Sequence, residues 1–376
     1  MIGLVGQYNS NPELVAGNTR SESNAALLLD APVNYDSDDF HFAVTPNIRY
    51  GNASGYSAIT SNFFHLDSLA RLDTERSSIS VSAALYRDSS LLYAGELSDG
   101  VGVRRDTSTF GVNWQDMLTE RLQLMLGANT SRALFGQTTA PTGLSENSET
   151  SVLGSLVDYR YTTFLPALAI LESERNTLRL LGSAGRYEAL NDVSDSNSAS
   201  LQLGFDRQLS EIWTLKTTLG YSRAQNRYNY FIFGKYLLSV FDSTQTGTVY
   251  SADLVRQGEA FSLDIGALRS LAPTGFAYLT LQQGVNANAN YAFSERWSYS
   301  VGASWQTNTY PAIRGGDSFD RRYYNVAVSA KWQWTEQWAL TLQANKVVQV
   351  YGSPSVSGAS TGVNLEISRQ FFRKDL

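Results

Sequence analysis

The sequence has no cysteine and only two histidines, His41 and His65, in 376 residues. Without thiols it has no disulfide framework, no thiolate zinc site and no cysteine nucleophile. Charge is scarce too: Asp, Glu, Lys and Arg make up 17% of the chain, against about 25% in an ordinary soluble domain. The balance is −6, the wrong sign for a nucleic-acid binder. Long apolar runs are missing. The longest, Phe164 to Leu171, contains Pro166 and falls far short of the roughly 20 residues a membrane helix needs. After Met1 no basic segment leads into an apolar core, so the expectation is either a cytosolic chain or a mature form freed of its signal peptide. Phosphate-binding glycine loops and metal-ligand clusters are absent from the pattern, and no cofactor or metal is expected.

What is present is aromatic. Tyr, Phe and Trp reach 12%, and they recur with a period of two. Trp297, Tyr299, Val301, Ala303 and Trp305 alternate with Ser298, Ser300, Gly302 and Ser304. Tyr324, Val326, Val328, Ala330 and Trp332 alternate with Asn325, Ala327, Ser329 and Lys331. The same rhythm runs through Leu201–Asp206, Trp213–Ser222 and Val285–Phe293. Strict alternation means β-strands with one apolar and one polar face. No stretch carries a helical period.

Short polar turns containing an acid punctuate the strands, as at Asp36–Asp39, Asp73–Arg76, Thr119–Arg121, Glu172–Arg175, Ser210-Glu211, Gln257–Glu259, Ser294–Arg296 and Thr335–Gln337. Between them lie longer polar connections, among them Gly51–Tyr56, Ser89–Gly100, Gly136–Ser148, Asn191–Asn197, Asn308–Asp320 and Gly352–Gly358. Eight short turns separate nine hairpins. The prediction is one domain over residues 1–376: an all-β, antiparallel up-and-down barrel of about 18 strands, with 16 as the alternative.

A soluble sandwich or a propeller of four or five blades also alternates. Two features favour lipid instead. The polar rows are Ser, Thr, Asn, Gln and Gly rather than the mixed charge of a soluble sheet. Aromatics also recur eight residues apart on one face, at Trp297 and Trp305, Trp213 and Tyr221, Tyr324 and Trp332. Eight tilted residues rise about 20 Å, close to the height of the apolar band between two aromatic girdles. Trp213, Phe293, Trp297, Trp305, Trp332, Trp334 and Trp338 are the expected interface girdle. In lipid every edge amide must be paired, so the sheet must close, the last strand (Val363–Phe371) meeting the first (Ile2–Tyr8). Phe372–Leu376 departs from the usual aromatic terminus. This arrangement predicts an integral protein of the Gram-negative outer membrane, in contact with its lipid and lipopolysaccharide, with short periplasmic turns and longer extracellular loops.

A barrel of this size encloses water unless plugged. Inward candidates are Arg49, Arg71, Asp158, Arg160, Asp206, Lys216, Asp253, Asp264, Lys331 and Glu366. Their signs balance, so little ion selectivity follows, and a wall of hydroxyls and amides suits hydroxyl-rich solutes. The segment Tyr228–Phe241 is unusually apolar for a loop. Tyr230, Phe231, Phe233, Tyr236 and Phe241 are expected either to fold over the lumen as a constriction or to extend a hairpin. His65 and Asp67 share a face. A lumenal hydrogen bond explains them better than catalysis, so the chain is expected not to be an enzyme.

Three stretches carry a family resemblance: Gln7-Tyr8-Asn9-Ser10-Asn11-Pro12; Leu268-Arg269-Ser270-Leu271-Ala272-Pro273-Thr274-Gly275; and Asn288–Trp305 with its echo at Trp332–Trp338. In these the chain resembles the β-barrel porins encoded beside exopolysaccharide and exosortase (PEP-CTERM) loci. The resemblance covers the whole architecture and carries over no functional residues. It implies an outer-membrane exit conduit for a secreted polysaccharide, working with a periplasmic polysaccharide-export protein. The barrel itself is expected to be monomeric. The alternatives are a general or sugar-selective diffusion porin and, behind it, an outer-membrane barrel enzyme.

Overall fold

The computed structural model describes residues 1–11, 21–51, 62–89, 103–136, 156–232, 236–275, 278–310, 319–351 and 356–371. Phe233 and Phe372–Leu376 lie outside them. All regular structure among the described residues is β. The first strands are β1 (Ile2–Asn9), β2 (Glu22–Asp30), β3 (Val33–Asp36), β4 (Phe40–Gly51) and β5 (Phe63–Asp73). Next come β6 (Ser77–Ser89), β7 (Arg104–Met117), β8 (Leu122–Phe135), β9 (Tyr159–Ser173) and β10 (Asn176–Ala189). The chain continues with β11 (Ser194–Gln208), β12 (Trp213–Ile232), β13 (Tyr236–Gln257), β14 (Phe261–Thr274) and β15 (Tyr278–Ala292). It ends with β16 (Trp297–Tyr310), β17 (Phe319–Gln333), β18 (Trp338–Tyr351) and β19 (Val356–Arg369).

Each strand pairs antiparallel with its chain neighbours, and β1 closes on β19 from Ile2↔Arg369 to Asn9↔Gly362. β2 and β3 are one wall strand interrupted at Pro32: both pair with β4, at Leu28↔Arg49 and at Asp36↔His41. Proline has no amide hydrogen for the ladder, and the chain resumes pairing through Ala31 N–H to Pro46 O at 3.2 Å. The barrel therefore has 18 staves, the number predicted from the turns. Pro166, inside the longest apolar run, sits within β9, where the ladder to β10 skips a step. Gly182 faces it, and a methyl there would lie 3.2 Å from the proline ring. A small residue opposite the proline lets the two strands stay close.

Burial is inverted relative to a globular protein. Leu4, Leu203, Leu219, Val301, Val326 and Leu342 are exposed, while Asp88, Arg105, Ser194 and Asn226 are buried. In water, each large apolar side chain left bare forgoes about 1.5–3 kcal/mol of burial; in hydrocarbon that cost vanishes. Aromatic girdles bound the band. Trp297 is the register partner of Trp332, and Trp305 that of Tyr324 eight residues higher. At the short-turn end Trp297, Trp332, Trp334 and Trp338 form a chain of rings with centroids 5.6, 6.0 and 6.2 Å apart. Arg369 interrupts the apolar row, and its guanidinium lies over the rings of Trp338 and Phe371.

Candidate functional site

The interior wall begins at the short-turn end as a belt of opposed charge. Arg179 donates to Asp206 at 2.5 Å. Asp206 is the register partner of Lys216, and Lys216 that of Asp253. Asp264 follows on β14, two residues from Gly266, the partner of Asp253. Across the lumen Lys331 opposes Ser298 and Thr341, while Glu366 opposes Thr341 and Val5. Outside this belt, near the loop end of β4, Arg49 donates to Gln7 Oε1 at 2.6 Å. Arg71 pairs with Asp73 at 2.8 Å, and His41 lies 3.0 Å from Asp36 and 3.5 Å from Asp73. Charges of both signs alternate around the shaft, and paired side chains screen one another. Above this belt hydroxyls bond across strands, as in Ser183–Ser200 at 2.7 Å, Thr218–Ser251 at 2.8 Å and Ser300–Ser329 at 2.6 Å.

Two inward assignments need correction. Arg160 faces outward, opposite Arg132 and Glu188 on the exterior. Its neighbours Tyr159 and Tyr161 turn inward instead, because they belong to a buried aromatic cluster. Reading the tyrosines as lipid-facing inverts this strand. Asp158 precedes β9 and caps the loop-end mouth, accepting the Phe135 amide hydrogen at 2.7 Å; it is not part of the shaft. Sequence reasoning also missed Arg179 and the buried pair Asp88 and Arg105, which lies beside the half-buried His65. There Arg105 donates to Asp88 at 3.1 Å and His65 lies 3.4 Å from the same carboxylate. Asp67 accepts from Tyr86 rather than from His65.

The apolar segment around residues 230–241 takes the hairpin form. β12 and β13 stay paired up to Ile232↔Tyr236, the tallest hairpin among the described residues. Another segment enters the lumen. Pairing of β13 with β14 stops at Tyr250↔Arg269, and pairing of β15 with β16 stops at Leu281↔Thr309. Beyond those points the β14–β15 hairpin pairs only with itself, from Ala272↔Thr280 to Thr274↔Tyr278. Having left the wall, it leans across the lumen and approaches β10, β11 and β12.

Its docking is a small globular core. Ala133, Tyr159, Tyr187, Ala189, Ala224 and Leu279 form one buried cluster, flanked by Phe135, Val157 and Leu271. Strict alternation from lipid-facing Val285 puts Leu279 in the lipid row, yet it is completely buried. The Tyr187 hydroxyl donates to Thr274 O at 3.0 Å, and the Val157 amide donates to Gly275 O at 2.6 Å. Tyr159 and Tyr187 stack at 5.3 Å. A Cβ at Gly275 would lie 2.7 Å from the tip of Leu156 and 2.9 Å from that of Phe135, so any side chain here would have to push those two aside. Two sequence signals mark the hairpin: the run Leu271-Ala272-Pro273 breaks alternation, and Pro273 cannot donate to a ladder. Beneath it lies a cavity of about 270 Å³ lined by Ser183, Ser200, Thr218, Ser251, Ser270 and Arg269 among others.

No protein-family model matches the chain, and no curated protein does. Solved structures resemble it in architecture. OccK2 (OpdF) of Pseudomonas aeruginosa, solved with glucuronate, is 12% identical, with 98% of each chain covered and a TM-score of 0.44. The outer membrane protein OpdK of P. aeruginosa is 14% identical over 97% of this chain and 96% of its own, with a TM-score of 0.46. The siderophore receptor PiuA of Acinetobacter baumannii is 8% identical over 98% and 82%, also with a TM-score of 0.46. A closed antiparallel barrel with an apolar exterior, two aromatic girdles and a polar interior is the architecture of the Gram-negative outer membrane.

Proposed function

We propose that this chain is a carbohydrate channel of the outer membrane, narrowed at its extracellular mouth by the β14–β15 hairpin. The observation that carries the reading is the hydroxyl-lined cavity directly under that hairpin. Many weak donors and acceptors with few free charges suit a solute that carries hydroxyls on every side, because no single contact holds it in place. In direction, we infer outward passage of an exopolysaccharide handed over by a periplasmic export protein; this rests on the family resemblance. The second reading is solute diffusion, favoured by the docked hairpin: a porin needs a narrowing, whereas a polymer conduit must lift it.

One experiment separates the two. A strain lacking the gene should lose polymer from its medium while keeping small-sugar uptake if the channel exports. Normal secretion with reduced uptake would establish the porin instead. If proteoliposomes containing the barrel admit neither monosaccharides nor oligosaccharides, even with the hairpin deleted, the carbohydrate reading fails altogether.

A further inference from the structure

The outward face of β8–β12 carries a patch the channel does not use. We infer that it binds the phosphates of lipopolysaccharide in the outer leaflet. Arg132 and Arg160 are direct cross-strand partners on the exterior. Both are exposed, and neither is ion-paired among the described residues. Like charges placed directly opposite in a sheet repel, so this pair favours an anion between its two guanidiniums. Glu188, the partner of Arg160 on the next strand, does not fill that role. Its carboxylate is held by Arg186 at 2.8 Å. Arg223, also exposed, has the uncharged Ala199 and Thr246 as its cross-strand partners.

The height of the patch identifies the anion. Phe110, Phe164, Leu201 and Tyr221 are exposed on the same outward face and form the upper rim of the apolar band. Arg160 stands four residues above Phe164 on β9, and Arg223 two above Tyr221 on β12. That is about 10 Å or less along a tilted strand, the depth at which hydrocarbon gives way to headgroups. The patch is at the end with the long connections, which faces the outer leaflet. Acids lie at its edge, Glu188 beside Arg186 and Asp195 opposite Arg227, but two bases do not face each other above Trp305 and Tyr324, where the outward row of β17 carries Arg322 and Asp320. The whole chain is acidic, at −6, so the patch is not a general basic surface. Guanidinium groups meet phosphate through two parallel hydrogen bonds, and two facing arginines provide four such donors to one group.

This inference needs only the membrane setting and is independent of what passes through the lumen. The test is native mass spectrometry of the full barrel, purified free of lipopolysaccharide and mixed with bisphosphorylated lipid A. The wild type should retain lipid A. The Arg132→Gln/Arg160→Gln variant should retain it about tenfold less, with heat-modifiable migration on a gel confirming the folded barrel. The Arg132→Lys/Arg160→Lys variant keeps charge without the fork and should fall between. Arg256→Gln, on a guanidinium stacked over Phe261 at the opposite end, should leave retention unchanged. Equal retention of dephosphorylated lipid A by the wild type would overturn the proposal, and this comparison needs no variant to fold. Displacement of lipid A by millimolar inorganic phosphate would also overturn it, by showing a site for any free anion.

Discussion

The two ends of the lumen are built on opposite principles. At the short-turn end every inward side chain belongs to the wall, and the space between walls is lined by Asp206, Lys216 and Asp253 in register, with Arg179 bonded to Asp206. At the loop end a hairpin leaves the wall, and Tyr159, Tyr187 and Leu279 are packed as tightly as in a soluble core. The lower half is a tube whose shape follows from strand count alone. The upper half has tertiary structure: its shape depends on side chains meeting across the lumen. A change in the shaft should therefore alter which solutes are preferred, while a change in the docking core should alter how much passes at all.

The largest effect should come from removing the hairpin. Replacing Pro273–Leu279 by a two-residue turn should raise single-channel conductance several-fold, since the mouth then approaches the open diameter of an 18-stranded barrel. Unchanged conductance would mean that the hairpin does not limit flow and would erase the contrast between the two ends. Next comes the docking tyrosine. Tyr187→Ala removes a buried ring and its hydrogen bond to Thr274 O, and should weaken docking by about 3–5 kcal/mol. Tyr187→Phe should cost only about 1 kcal/mol. Hydrogen exchange at the Val157 amide, which donates to Gly275 O, reports this directly, and protection that survives Tyr187→Ala would place the docking energy elsewhere.

In the shaft the effects should be smaller and of another kind. Lys216→Glu puts a third carboxylate beside Asp206 and Asp253. It should shift reversal potentials toward cation permeation by about twofold, with conductance nearly constant. A large loss of conductance instead would show that the lower shaft, not the hairpin, is the narrow point. The smallest change is expected from shortening the tall β12–β13 hairpin above Asn229↔Val240. Its backbone continues the wall upward, so conductance should stay within the scatter of the wild type. A marked rise would move the constriction to that hairpin.

Most of the tube is written in the local pattern. Trp297–Trp305 and Tyr324–Trp332 alternate so strictly that equal spacing along the chain already implies their pairing, Trp297 to Trp332 and Trp305 to Tyr324. The eight short turns likewise set the stave count. The upper half is not written that way. Leu279 meets Tyr187 and Ala133, partners far away in the chain, and nothing local says that a lipid-row leucine will be buried in the lumen. Arg160 is misread for the same reason. Its flanking tyrosines look like girdle residues, and only the docked hairpin explains why they face inward. The apolar run near Phe231 is a sound signal of unusual loop structure, yet the segment that enters the lumen is marked by Pro273 and a lapse in alternation.

The seam between β1 and β19 has a consequence in time. Eight residue pairs, from Ile2↔Arg369 to Asn9↔Gly362, join the stave synthesised first to the stave synthesised last. Every other stave finds its partners among its chain neighbours. The first edge must therefore stay unsatisfied until nearly the whole chain has been made, and a bare strand edge invites pairing with other chains. That edge must be kept from other chains until the barrel closes, and the lumen is complete only once this seam is made.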